Sequence, residues 1–464
     1  MFNTQPLFYK AAAVVLLAAV AAPLRAQEPA PPTVPNARAV LDGYVAEALQ
    51  ANLALAQQRA AQRRADASVR EANGRFLPSV GLNARYSEFS GVVNIGDFIN
   101  PAYAALNQLI GQPRFPTDIS ATLPFRQETK LEFTLPLFND ALFGARAAAR
   151  AQRDLVGSGR RAAMRQLAAD VQRAWLGYAT TVRAVETLEA TLPVLDENVR
   201  VSERLIANGQ ATPDVLLRAR AERSELLQQL AETRRQRDAA RRSVNLLRNA
   251  PDDAPLSLVA DSTLLATTAI DGDRDALIAN ALRRREELVQ TGNLIELANA
   301  QTRIAESAFL PNVALAASYG VQGNRYRFDR QNDVGLASVV LGWNFFNGTQ
   351  DAARREQARA TRSEAEYRRR EAERAVRIDV ENAWDAVQAA RTALTAAIDR
   401  RAAAERAFTL VQRRYAEGLA TQIEYLSARS AHTGAALNEV ITRFAVATRQ
   451  VELERAAALR TFAD

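Results

Sequence analysis

Few residues in this 464-residue chain could do covalent chemistry. There is no cysteine, which excludes disulfides, thiol nucleophiles and thiolate metal sites; His432, the single histidine, cannot build a multi-histidine metal centre. No nucleophile–base pair, metal cluster or phosphate-binding loop stands at a useful spacing, so the expectation is no enzyme, no cofactor and no metal. The 59 basic and 52 acidic residues, net +7, are interspersed along the same stretches, which argues against nucleic-acid binding.

What remains is the chemistry of charges and bare backbone at turns. Asn208-Gly209 suits a helix stop, and Thr212-Pro213 a restart with an N-cap hydroxyl and a proline at the first helical position. Gly418 repeats the stop, and Thr421 to Glu424 has capping-box spacing. Glu424 therefore reads first as a cap, with a ring of carboxylates selecting cations as the alternative. Asp214 reads as a first-turn residue facing the helix dipole. Arg85 either faces a lumen or pairs at a rim, whereas Trp175 and Trp384, which recur with the same neighbours, read as core.

Long helices must carry those turns. From Asn139 to Asn208 and from Asn347 to Gly418 the chain stays helix-compatible for about 70 residues, on the order of 100 Å. Met164, Val171, Tyr178, Val185, Leu192 and Val199 recur every seven residues, the seam of a coiled coil. Pro193 falls inside the first rod and predicts a kink or break.

Between the rods the period changes to two. Strands are expected near 78–87, 130–137, 311–320 and 336–345. Val80, Leu82 and Tyr86 point one way in the first; Leu131 and Phe133 do so in the second, Val313, Leu315 and Tyr319 in the third, and Leu341 and Trp343 in the fourth. About ten residues is the length of a tilted bilayer-spanning strand, and these positions are expected to face lipid. Four strands cannot close a barrel, which needs about eight, so closure demands several copies.

The chain is written twice. P-x-V-x-L-x-A-x-Y runs from Pro78 to Tyr86 and again from Pro311 to Tyr319; Asp170-Val171 with Ala174-Trp175 returns as Asp379-Val380 with Ala383-Trp384. The expected divisions are a first repeat at 37–250, holding a hairpin at about 78–137 and helices at 141–207 and 213–248, and a linker at 251–271. A second repeat follows at 272–464, with a hairpin at about 311–345 and helices at 349–416 and 422–460. The first repeat carries a longer loop, Gly91 to Arg126, which either folds over a pore mouth or is an ordered surface loop. Residues 1–26, with Lys10 before the apolar run Ala11–Ala22, read as a cleavable export signal, and 27–36 as a proline-rich tether.

The tandem repeat, two hairpins opened by F-L-P (Phe76 and Phe309), the rods and the glycine-marked turns resemble the TolC family of outer-membrane efflux proteins. This resemblance implies a mixed α and β membrane protein: a trimer whose twelve strands form one outer-membrane barrel, continued by a periplasmic α-helical tunnel. It implies a channel of a tripartite efflux or type I secretion system, working with a periplasmic adaptor and an inner-membrane pump. The adaptor-docking tip would be Gly209, Ala211, Thr212, Asp214, Gly418, Ala420 and Thr421, and the entrance constriction Tyr415, Glu424 and Ser427. Ala420 and Ser427 depart from the arginine and acidic residue of the best-known member, so the same closed lock is not expected. The competing reading is a soluble periplasmic coiled-coil scaffold or adaptor, which leaves the strands unexplained.

Overall fold

A computed structural model describes residues 37–88, 90, 94–120, 125–259, 270, 272–327, 329, 330 and 332–462. The expected signal and tether, and residues 260–269 and 271 of the expected linker, lie outside them.

Two short helices open each half: α1 (Ala37–Ala51) and α2 (Leu53–Gly74), then later α6 (Arg274–Arg284) and α7 (Glu286–Ser307). Each pair leads into a hairpin, β1 (Ser79–Tyr86) and β2 (Gln127–Phe138), or β3 (Asn312–Gly323) and β4 (Asp333–Gly342). Each hairpin runs into a long and a shorter helix: α4 (Asp140–Ala207) with α5 (Pro213–Arg248), and α8 (Gln350–Ala416) with α9 (Gln422–Ala456). A further helix, α3 (Gly96–Ile110), sits inside the β1–β2 connection. No described helix is long and apolar enough to cross a membrane.

The rods are held by the heptad positions. Along α4, Val185, Leu188 and Leu195 are buried against Leu226 and Leu230 of α5, each buried leucine contributing about 1.5–3 kcal/mol. Pro193 does not break the rod: α4 is continuous from Asp140 to Ala207. The apolar seam on either side of the proline stays engaged with α5, and that packing outweighs one lost backbone bond.

Two equivalent cores sit where the short helices meet the rods. Leu41, Tyr44 and Val45 of α1 pack with Val171, Trp175 and Leu176 of α4 and Val244 of α5. Leu277 and Ile278 of α6 pack with Val376, Val380 and Val387 of α8 and Leu453 of α9. Trp175 is fully buried and donates its indole N–H to Ser257 O at 3.1 Å.

The break between the short helices is tied to the end of the closing helix in both halves. Asn52 Nδ2 donates to Leu247 O at 2.9 Å, and Arg285 Nη1 to Ala456 O at 3.0 Å. The register that relates Ala48 to Ala281 also relates Asn52 to Arg285. The chemistry has diverged: the first tie is neutral, whereas buried Arg285 also pairs with Asp379 at 2.7 Å and Glu287 at 2.9 Å. Burial by itself would raise the Glu287 carboxyl, but the hydrogen bond and charge of Arg285 hold it below its ordinary value. Its stabilising contribution is complete above the ordinary carboxylate pKa and is lost as pH falls through the depressed folded value.

Arg285→Ala is expected to lower stability by about 1–3 kcal/mol, less than a fully buried pair because Glu287 and Asp379 reach solvent. Asn52→Ala should cost about 1 kcal/mol. Denaturant midpoints in detergent check both, and an acid titration should show the wild type losing more stability below the carboxylate range than Arg285→Ala does.

Candidate functional site

The four strands form one antiparallel sheet in the order β1-β2-β3-β4, so pairing of β2 with β3 joins the two halves. Val80 lies opposite Phe133, Leu82 opposite Leu131, Leu131 opposite Tyr319, and Val313 opposite Leu341. These partners, with Tyr86 and Leu315, therefore occupy one face. No described helix covers it: Val80 is 62% exposed, Leu82 73% and Leu341 63%. Tyr86, Leu131 and Tyr319 are exposed too, while Phe133, Val313 and Leu315 are half-buried among their neighbours. A register irregularity falls at Pro136, which has no N–H for the ladder.

The opposite face is polar. Arg85 Nη2 donates to Glu128 Oε2 at 2.7 Å, and Lys130 pairs with the same carboxylate. Asn83, Glu132, Thr134 and Ser318 share this side by register. Arg85 is thus paired across the strands.

Trp343 corrects the expected strand bounds. β4 ends at Gly342, and Trp343 lies just beyond it, its ring tilted against Phe345 at 4.7 Å and its indole N–H on Phe309 O at 3.2 Å. The tryptophan ties the end of the sheet to the F-L-P turn rather than extending the ladder.

The other candidate region is the far end of the rods. Gly209 (φ 69°) and Gly418 (φ 72°) close identical stops: Gln210 N–H reaches Leu205 O and Gly209 N–H reaches Ile206 O, and Leu419 and Gly418 repeat both bonds to Arg414 and Tyr415. This is a Schellman stop, which favours glycine at the left-handed position. A Cβ at either glycine would meet nothing within 4 Å, so only the backbone conformation, not crowding within the chain, demands glycine.

The restarts differ. Thr421 and Glu424 form the expected capping box: Thr421 N–H donates to Glu424 Oε2 at 2.7 Å and Glu424 N–H to Thr421 Oγ1 at 3.2 Å. Hydrogen bonds from the Thr421 backbone and hydroxyl hold the Glu424 carboxyl below its ordinary value. Thr212 sits at the N-cap before Pro213 but does not cap; its hydroxyl donates to Asp214 instead, which lowers the Asp214 carboxyl. Gln422 Nε2 joins the two turns through Val215 O at 2.8 Å.

Tyr415 stacks on buried Tyr425 at 4.8 Å, and burial raises both phenols. Tyr415 lines a cleft of 740 Å³ with Pro193, Asn198 and Gln210, whereas Ser427 lines a different one with Arg218 and Glu222. Tyr415 and Ser427 therefore line separate clefts. Ala211 and Ala420 are half-exposed beside the turns. Sequence reasoning missed Leu217, Leu419 and Ile423, apolar side chains about 60% exposed at the tip. Leu419 and Ile423 carried a signal, an apolar residue next to a helix stop and in a first turn, whereas Leu217, fifth in α5, carried none.

Residues 277–459 match the family described as outer membrane efflux protein. The fold is that of the outer-membrane efflux channels. The chain superimposes on the outer membrane protein VceC of Vibrio cholerae with a TM-score of 0.73 at 19% identity, covering 91% of this chain and 98% of that one. The CmeC outer membrane channel of Campylobacter jejuni gives 0.74 at 14% identity, covering 90% and 85%, and the MtrE channel of Neisseria gonorrhoeae 0.71 at 18%, covering 90% and 88%. No curated protein matches the chain in sequence. The resemblance read from the duplicated motifs is borne out: residues 277–459 match the outer-membrane efflux protein family, and the fold matches those channels over about 90% of the chain.

A sheet of this kind set in a bilayer should reject charge on its apolar face. Leu82→Arg is expected to cost about 2–4 kcal/mol if it lies near the bilayer midplane. Asn83→Arg, on the polar face, should insert normally. Detergent-extractable, folded protein recovered from membranes measures the difference.

Proposed function

We propose that this protein is the outer-membrane channel of a tripartite efflux or type I secretion system, a passive conduit for substrate delivered by a periplasmic adaptor and an inner-membrane pump. The observation that carries this reading is the bare four-stranded sheet, apolar on one face and polar on the other, at the end of two rods about 100 Å long. Its outer edges, β1 and β4, have no partner among the described strands. Three copies joined edge to edge would give twelve strands and close the barrel, with the apolar faces toward lipid and the Arg85 side toward water. A soluble scaffold would have to leave that apolar face in water.

In this reading the tip docks the adaptor. Gly209, Ala211, Thr212 and Asp214 form one turn and Gly418, Ala420 and Thr421 the other. Leu217, Leu419 and Ile423 add apolar contacts of the kind that anchor interfaces. Tyr415, Glu424 and Ser427 take part in the entrance constriction through neighbouring copies, since Tyr415 and Ser427 line separate clefts within one chain. Glu424 is capping its own helix and is held ionised, so three copies would present fixed carboxylates at the entrance.

Purified protein is expected to run as a detergent-stable trimer and to conduct ions across a planar bilayer; a monodisperse water-soluble monomer would overturn the reading. Leu419→Asp with Ile423→Asp, or bulky charged residues at Gly209 and Gly418, should weaken adaptor binding at least tenfold while the trimer persists. Pull-down with the adaptor and native mass measurement separate the two effects.

A further inference from the structure

The helix α3 lies in the connection between the end of β1 at Tyr86 and the start of β2 at Gln127, the strand ends remote from α2 and α4. One side of it is laced to the segment that follows. Asn100 Nδ2 donates to Ile119 O at 2.7 Å while its Oδ1 accepts from Ile119 N–H at 2.9 Å; Asn107 makes the same reciprocal pair with Phe115 at 2.7 and 2.9 Å. Tyr103 packs in a tilted ring contact with Phe115 at 5.3 Å. At Gly96 a Cβ would lie 1.8 Å from Ile119 O, so the close approach requires glycine. The unit is built, not a slack loop.

Its other side is bare. Phe98, Ala102, Ala105 and Leu109 follow a four-three-four spacing that places them on one stripe. Phe98 is 75% exposed and Leu109 84%, with Leu106 and Ile110 exposed alongside. No described element of the same chain packs on this stripe.

Two occupants fit an apolar helical stripe: a membrane surface or another helix. Helices that lie on anionic membrane surfaces carry lysine and arginine on the polar face, but α3 has Asp97 and no basic residue. Small Ala102 and Ala105 between bulky Phe98 and Leu109 suit close helix–helix packing, with knobs at both ends of a shallow seat. The hairpin that carries α3 also carries the open edge of β1, which needs a neighbouring copy. We infer that the stripe docks on the α3 stripes of second copies of this chain, so that the helices gather at the outer mouth as an apolar collar. This rests on the trimeric reading proposed above.

Because the chain has no cysteine, single substitutions report the contact directly. In membranes treated with copper phenanthroline, Leu109→Cys and Ala105→Cys are expected to give linked dimers in most of the protein. Gln108→Cys, off the stripe, should give at least fivefold less. Adding Phe98→Asp should cut the Ala105→Cys link at least fivefold. The inference is overturned if neither stripe variant links while native mass measurement shows an intact trimer, or if a bimane label on Leu109→Cys is quenched by nitroxide-bearing lipid, which would put the stripe in the bilayer. Absence of the trimer itself would remove the assembly reading and this one with it, and the mass measurement tells the cases apart.

Discussion

The outer edges of β1 and β4 are two rows of backbone amides and carbonyls with no partner among the described strands, and in hydrocarbon such groups would have no water to bond. That constraint makes one chain an incomplete object. Alternation along each strand separates an apolar face from a polar one: the register sets Leu82, Leu131 and Tyr319 side by side and sets Arg85 and Glu128 together behind them. Among the described residues the sheet buries little beyond Gln127 and Val321, and the apolar clusters lie in the helical part. The protomer's internal stability resides in the helical cores at Trp175 and at Val380.

Duplication explains the regularity of the helical part, and the differences between the copies show where chemistry has moved. The Schellman stops at Gly209 and Gly418 share every backbone bond, and a second pair, at Asn249 and Ala458, closes α5 and α9 in the same left-handed geometry. A stop depends on backbone geometry alone, so it survives side-chain change. The ties at Asn52 and Arg285 keep one carbonyl acceptor while exchanging an amide for a guanidinium with two carboxylates. At the tip, Leu217 is exposed whereas Leu426, its repeat partner, is buried. One architecture thus presents two unlike turns.

Much of this was legible in the chain because its signals are periodic. A period of two across Val80, Leu82 and Tyr86 survives in the sheet, and the sevenfold spacing through Val171 and Val185 survives in α4. Local exceptions were misread for a common reason: a neighbour distant in sequence, or a competing side chain, changed the balance. Pro193 is carried through by leucines seated against α5, Trp343 leaves its ladder for Phe309 O, and the Thr212 hydroxyl turns to Asp214. The lacing of α3 by Asn107 and Asn100 depends on residues 8 and 19 positions apart meeting, and no periodic pattern announces it.

By itself the sequence determined the element types, their duplication and the two-faced character of the strands, since period, glycine stops and capping spacing are local properties. Only the tertiary structure decided that β2 pairs with β3 to make one sheet, that no described element covers its outer edges or its apolar face, and that Tyr415 and Ser427 line separate clefts. Those outcomes depend on which surfaces meet, and contact between distant segments is a balance of packing and backbone pairing that no local pattern encodes.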